Sequence, residues 1–173
     1  MRQLFTRPLV MVLVVVAGLA WLAIRWGISA AGPRGLRNPA DSQLAGCPQS
    51  PNCVSSQATT AAHRIDSWVL KTPPPASLEL IASVVRQQPR SRIVTLEANY
   101  LHAEFRSRIF GFVDDVEFLW DGVSHSLQVR SASRLGYSDF GVNRRRVEQL
   151  RAQVEGLTQL PLPAGGPPES QRN

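Results

Sequence analysis

The chain has 173 residues, 43% of them hydrophobic, and a formal net charge of +6. That length leaves room for one modest domain plus an anchor. Lys and Arg total 19 against 13 Asp and Glu; because the basic residues are interspersed with acids and no nucleic-acid-binding motif appears, nucleic acid is excluded as an expected partner.

Leu9 to Ile24 reads LVMVLVVVAGLAWLAI, with Trp26 and Ile28 beyond Arg25. The run reaches the length of a membrane-spanning helix, and Trp21 and Trp26 suit its interface. The expectation is an uncleaved anchor over residues 1–31. A cleaved signal peptide is the competing reading, with Arg2 and Arg7 as its basic start and Ser29-Ala30-Ala31 as small residues. Arginines flank the run on both sides, so charge leaves the orientation open.

Residues 32–43 read as a linker. Leu44-Ala45-Gly46-Cys47 has the letters of a lipoprotein processing box, but a long polar stretch separates it from the apolar run, so lipidation is not expected. Cys47 and Cys53 enclose Pro-Gln-Ser-Pro-Asn. They read as a disulfide, a metal pair, a reactive thiol or two reduced cysteines. The spacing is wrong for a CxxC zinc or redox pair. In an oxidising compartment a small disulfide-closed loop is the economical reading; a Cys53 nucleophile with His102 as base is the alternative. No metal or cofactor is expected.

His63 to Lys71 suggests an irregular edge strand. Ser77 opens an expected helix that Pro89 ends, with Leu78, Ile81 and Val85 inward. Arg92 to Glu97 reads as a strand. Tyr100 to Ile109, Val113 to Trp120 and His125 to Ser131 alternate with period two, a three-strand antiparallel meander. A tight turn at Phe110-Gly111 pairs Phe105 with Val116 and Arg106 with Asp115. A loop over Asp121–Ser124 pairs Val116 with Val129 and Asp115 with Arg130. The outer face then carries the row Arg106–Asp115–Arg130, expected as solvated cross-strand ion pairs; a polar ligand site is the sharper reading.

A turn-rich loop follows, and Asn143 reads as the N-cap of a helix with Val147, Leu150 and Val154 on its inner face. Arg144, Arg145 and Arg146 occupy its first turn, where the macrodipole opposes cations. Asp139 is the expected partner of Arg144 or Arg145. Residues 158–173 are expected to be a disordered tail.

The stretches CPQSPNCVSSQA, YLHAEFRSRIFGFVDDVEF and VRSASRLGYSDFGVNRRRVEQLRA resemble the bacterial and plastid family of unknown function numbered 1499, over roughly Leu44 to Val154. The resemblance implies a single α+β domain, often behind a membrane anchor or targeting segment, and carries over no activity, cofactor or catalytic residue. Pattern and resemblance together give an α+β, two-layer domain over residues 44–157: a four-stranded antiparallel sheet with two helices on one face, preceded by an N-terminal transmembrane helix.

The expected function is that of a non-catalytic binding or assembly module, single-pass in an inner membrane and facing the periplasm. Its partner would be an envelope protein or a lipid. Candidate binding residues are Arg106, Asp115 and Arg130 on the sheet, Arg134, Tyr137 and Asp139 in the loop, and Asn143, Arg144 and Arg145 at the helix start. One alternative is a hydrolase-like enzyme using His102 and Glu104, with Asp115 and Glu117 on the same face. No GxSxG, HExxH, P-loop or dinucleotide fingerprint supports it. Another is a small apolar-ligand carrier, disfavoured because Phe105, Phe118 and Trp120 fill the space between helices and sheet.

Overall fold

The computed structural model describes residues 6–33, 35–37 and 43–159. Arg2, Arg34, most of the second half of the linker and residues 160–173 of the expected tail lie outside the described residues.

The apolar run is one helix, α1, Thr6–Ala30. Its stretch Leu9–Ile28 has a mean hydropathy of 2.3 and is long and apolar enough to cross a membrane. Its large apolar side chains are exposed, so the helix buries nothing against the domain's core.

The sheet has five strands: β1 Cys53–Ser55, β2 Ser91–Leu96, β3 Tyr100–Arg106, β4 Val113–Asp121 and β5 Ser126–Ser133. Their order is β1-β5-β4-β3-β2, and every neighbouring pair is antiparallel. The expected four strands missed β1, because Cys-Val-Ser is too short to show a period and is a strand only by pairing with β5. The anticipated edge strand at His63–Lys71 shrinks to isolated bridges, Ser55 with Arg64 and Trp68 with Leu127.

The meander is present, but both its registers differ from expectation by two residues. Phe105 faces Asp114 and Arg106 faces Val113, because the first turn is a wide loop over residues 107–112 and not a tight Phe110-Gly111 turn. Ser107 closes that loop, its N–H donating to the Phe112 carbonyl at 2.8 Å and its hydroxyl accepting from Phe112 N–H at 3.0 Å. The second loop has the expected length but sits one residue later, so Asp121 faces Ser126 and Glu117 faces Arg130. His125 ends it with φ +48°, a left-handed conformation outside the strand region. An even slip keeps every side chain on its own face, so the expected inside–outside division holds while the ion-pair partners change.

Two helices, α2 Ala76–Arg86 and α3 Val142–Gln159, cover one face of the sheet. Ser77 is not the cap of α2; Pro75 holds that position and Ser77 is buried inside the helix. The helix α3 runs through Gln159, past the point where the tail was expected to begin. Leu78, Ile81 and Val85 of α2 and Val147, Leu150 and Val154 of α3 meet Leu101, Ala103, Phe105, Val116, Phe118 and Val129 from the sheet. Each fully buried side chain of this kind contributes about 1.5–3 kcal/mol. Trp68 packs edge-on against Phe118 with ring centroids 5.2 Å apart.

Candidate functional site

The other face of the sheet is polar, as the alternation requires, but it is not solvated. His102, Glu104, Asp115, Glu117, Arg130 and Arg134 are all buried there. Glu104 and Asp115 sit directly opposite each other on β3 and β4. Two carboxylates at neighbouring positions repel, and burial deprives them of water. Arg134 resolves both problems. Its Nη2 donates to Glu104 Oε1 at 2.6 Å and to Asp115 Oδ1 at 2.7 Å, while Nε donates to Asp115 Oδ2 at 2.8 Å. A planar fork reaching two carboxylates is geometry that arginine supplies and lysine does not.

Further donors complete the shell. His102 Nε2 donates to Asp115 Oδ1 at 2.8 Å. Arg92 and Arg106 donate to Glu104 Oε2 at 3.0 and 3.2 Å. Burial pushes the Asp115 and Glu104 pKa values up, but the hydrogen bonds and charge of Arg134 outweigh it, with help from His102 and Arg92 respectively, and both carboxyls are held below their ordinary values. The same pairing raises Arg134 despite burial. Beside this group Arg130 donates to Glu117 Oε2 at 3.0 Å and Tyr100 donates to Glu117 Oε1 at 2.7 Å. Burial first, then the charge of Glu117, raises the Tyr100 phenol far above its ordinary value.

The chain leaving α1 covers this face. Arg134 Nη1 donates to the Ala31 carbonyl at 2.9 Å. The Arg37 backbone N–H donates to Glu117 Oε1 at 2.9 Å, and its guanidinium lies 4.5 Å from the centre of the Tyr100 ring. Leu44 packs with Tyr100 and Leu119. Cys47 and Cys53 form a disulfide with an S–S distance of 2.04 Å, so neither is a thiol nucleophile. A cavity of about 340 Å³ opens between the disulfide arm and β5, with Arg130, Asn52 and Ser133 among its walls.

The loop from Arg134 to Asn143 is tied from several sides. Asn52 Nδ2 donates to the Gly136 carbonyl at 2.6 Å. Asp139 accepts from the Gly141 and Asn143 backbone N–H groups at 2.9 and 2.8 Å, and so caps α3. Asn143, expected as that cap, lies inside the helix and is fully buried; its amide links the Asn52 carbonyl, Ser131 and Ser133. Tyr137 and Phe140 remain 77% and 87% exposed. Phe140 has φ +53°, unusual for a bulky residue.

The expected pairing of Asp139 with Arg144 or Arg145 is not what forms. Arg144 donates to the Arg64 and Ala62 carbonyls at 2.8 and 2.9 Å, and Arg145 to the Phe140 carbonyl at 2.9 Å. Arg146 pairs with Asp114 at 2.7 Å and lies over the Phe105 ring. Asp139 therefore offsets the helix N-terminus directly, by accepting from its N–H groups. The expected row Arg106–Asp115–Arg130 is likewise replaced: Arg106 bonds Glu104, Asp115 bonds Arg134 and Arg130 bonds Glu117. Among the candidates, Asp115, Arg134 and, at the rim, Arg106 come together. Tyr137, Asp139, Asn143 and Arg145 share the neighbouring loop and helix start. Sequence reasoning left Glu104, His102 and Glu117 out of the binding set; their alternation with apolar residues put them on the right face, but only the register shows their partners.

Among the described residues no cluster of His, Cys, Asp or Glu is arranged to hold a metal ion. Of the two residues of the hydrolase-like alternative, Glu104 is engaged by arginines and His102 by Asp115. No curated protein and no solved structure matches the chain. One family model matches residues 43–154, the sheet with its two helices and the disulfide arm, so the chain belongs to the family described as protein of unknown function (DUF1499).

Proposed function

We propose that this is a membrane-anchored envelope domain, single-pass through α1 with the folded part outside the cytoplasm, that works by binding and not by catalysis. The observation that carries the reading is the loop Arg134–Asn143. Its backbone is pinned by Asn52, Asp139 and Arg145, yet it holds Tyr137 and Phe140 out in solvent. Tyrosine is among the side chains enriched at the centres of recognition surfaces, and the left-handed backbone at Phe140 is a strained conformation of the kind that clusters at functional sites. The buried charges beneath it serve as the frame: each carboxylate is held by arginine, and the frame is bonded to the chain leaving α1. The disulfide fits an oxidising compartment.

A photo-crosslinking side chain placed at Tyr137 or Phe140 of the full chain, in native membranes, tests this. The expected result is a discrete adduct, protein or lipid, that a crosslinker at exposed Val123 in the opposite hairpin loop does not give. Equal background adducts at all three positions overturn the binding surface. A reporter active only in the cytoplasm, fused after Val154, should be silent; activity would reverse the topology.

A further inference from the structure

The run Arg144-Arg145-Arg146 breaks the usual rule for helix N-termini, and Asp139 does not neutralise it by pairing. A cleft of about 260 Å³ lies where this turn meets the end of β3 and the loop after α2. Arg90, Arg106, Arg145 and Arg146 line it, Phe105 and Val142 add apolar wall, and none of its lining residues is acidic. Arg106 and Arg146 also hold carboxylates, Glu104 and Asp114. Among the described contacts, Arg90 and Arg145 bond only main-chain carbonyls, those of Arg106 and Phe140 at 3.1 and 2.9 Å. Two guanidinium charges thus converge on the cleft without a carboxylate of their own.

The cleft also has an address. Arg25, inside the apolar stretch of α1, donates to the carbonyls of Arg108 and Ile109 at 3.4 and 2.5 Å. The loop that starts just past Arg106 therefore rests against the end of the apolar stretch. Ile109 and Phe110 at its tip are 62% and 48% exposed. Arg25 also lies 5.4 Å from the Trp21 ring, a pairing suited to the interfacial zone of a bilayer. We infer that the arginine cleft binds the phosphate headgroup of an anionic phospholipid in the bilayer that α1 spans, with Ile109 and Phe110 dipping into the interface beside it. This inference rests on reading α1 as an uncleaved anchor. Bidentate guanidinium geometry suits phosphate oxygens, and the apolar loop tip suits the acyl boundary next to them.

The test uses the full chain reconstituted in nanodiscs of phosphatidylcholine with added phosphatidylglycerol, released and weighed by native mass spectrometry. Intact mass first reports whether the α1 segment is retained; its loss overturns the anchor reading, independently of the cleft. With α1 present, phosphatidylglycerol should remain bound in preference to phosphatidylcholine. The Arg90→Gln/Arg145→Gln variant should lose that preference by at least about tenfold, given what basic side chains contribute near anionic headgroups. The charge-matched Arg64→Gln/Arg86→Gln variant, altered outside the cleft, should keep it. Equal retention by both variants overturns the site. Displacement of the lipid by inorganic phosphate at millimolar concentration would show a site for soluble phosphate, and overturns the lipid assignment.

Discussion

Arg134 donates a hydrogen bond to the carbonyl oxygen of Ala31 at 2.9 Å, which ties the first residue after α1 to a guanidinium already bound to Glu104 and Asp115. One buried side chain thus connects the apolar helix, the centre of the sheet and the start of the exposed loop. A displacement of the chain leaving α1 would uncover the charges of the sheet, so the position of the helix and the integrity of the polar face are mechanically linked.

Arg134→Gln is expected to destabilise the domain by about 3–5 kcal/mol, because Glu104 and Asp115 would be left facing each other in the interior without a shared cation. Denaturant unfolding of the full chain in detergent measures it. Adding Glu104→Gln should recover a large part of the loss by removing one of the stranded charges. A loss under about 1 kcal/mol for Arg134→Gln, the range of an exposed pair, would refute the buried-clamp account.

The carboxyl pKa values give an acid limit. Glu104 and Asp115 are held below their ordinary values in the folded state. A depressed carboxyl stabilises the fold above its unfolded pKa, about 4.3 for Glu and 3.9 for Asp, and that stability drains away as pH falls through the folded value. The fold should therefore show no acid loss from this pair at pH 5 to 7, and lose stability below about pH 4. Unfolding midpoints measured across this range, with Asp115→Asn for comparison, test the sign; a midpoint that rises on acidification contradicts it.

Replacing Cys47 and Cys53 with serine removes the cross-link over a sequence separation of six residues. The expected cost is about 2 kcal/mol, mostly through a less constrained unfolded chain. Thermal unfolding in oxidising buffer should show the drop, and the wild-type protein under reductant should fall to the same level. If reductant leaves the wild type unchanged while the thiols become alkylatable, the disulfide is not a stabiliser.

Asp139→Ala should cost about 1 kcal/mol as the loss of a helix cap. Combined with Arg144→Gln, the losses should add to within about 0.5 kcal/mol, since Asp139 bonds backbone N–H groups of its own loop and Arg144 bonds the Arg64 and Ala62 carbonyls. Coupling well beyond that would mean that an ion pair forms in solution after all.

Much of this architecture is legible in the residues themselves. The alternation of Leu101, Ala103 and Phe105 with His102, Glu104 and Arg106 assigns the two faces of β3, because a strand has no other way to separate them. The spacing of Val147, Leu150 and Val154 assigns the inner face of α3, and the unbroken run from Leu9 can only be an apolar helix. Periodicity is a local property, so local sequence carries it. The pairings are different. Whether Asp115 faces Arg106 or Glu104 depends on where two loops close, and a slip of two residues leaves the pattern of faces unchanged while giving every charge a new neighbour. The burial of the polar face, the strand Cys53–Ser55 and the placing of Arg134 between two carboxylates all come from segments far apart in the chain. These were decided only when the tertiary fold brought the segments together, since the energy of a buried charge depends on its partners in space and not on its neighbours in sequence.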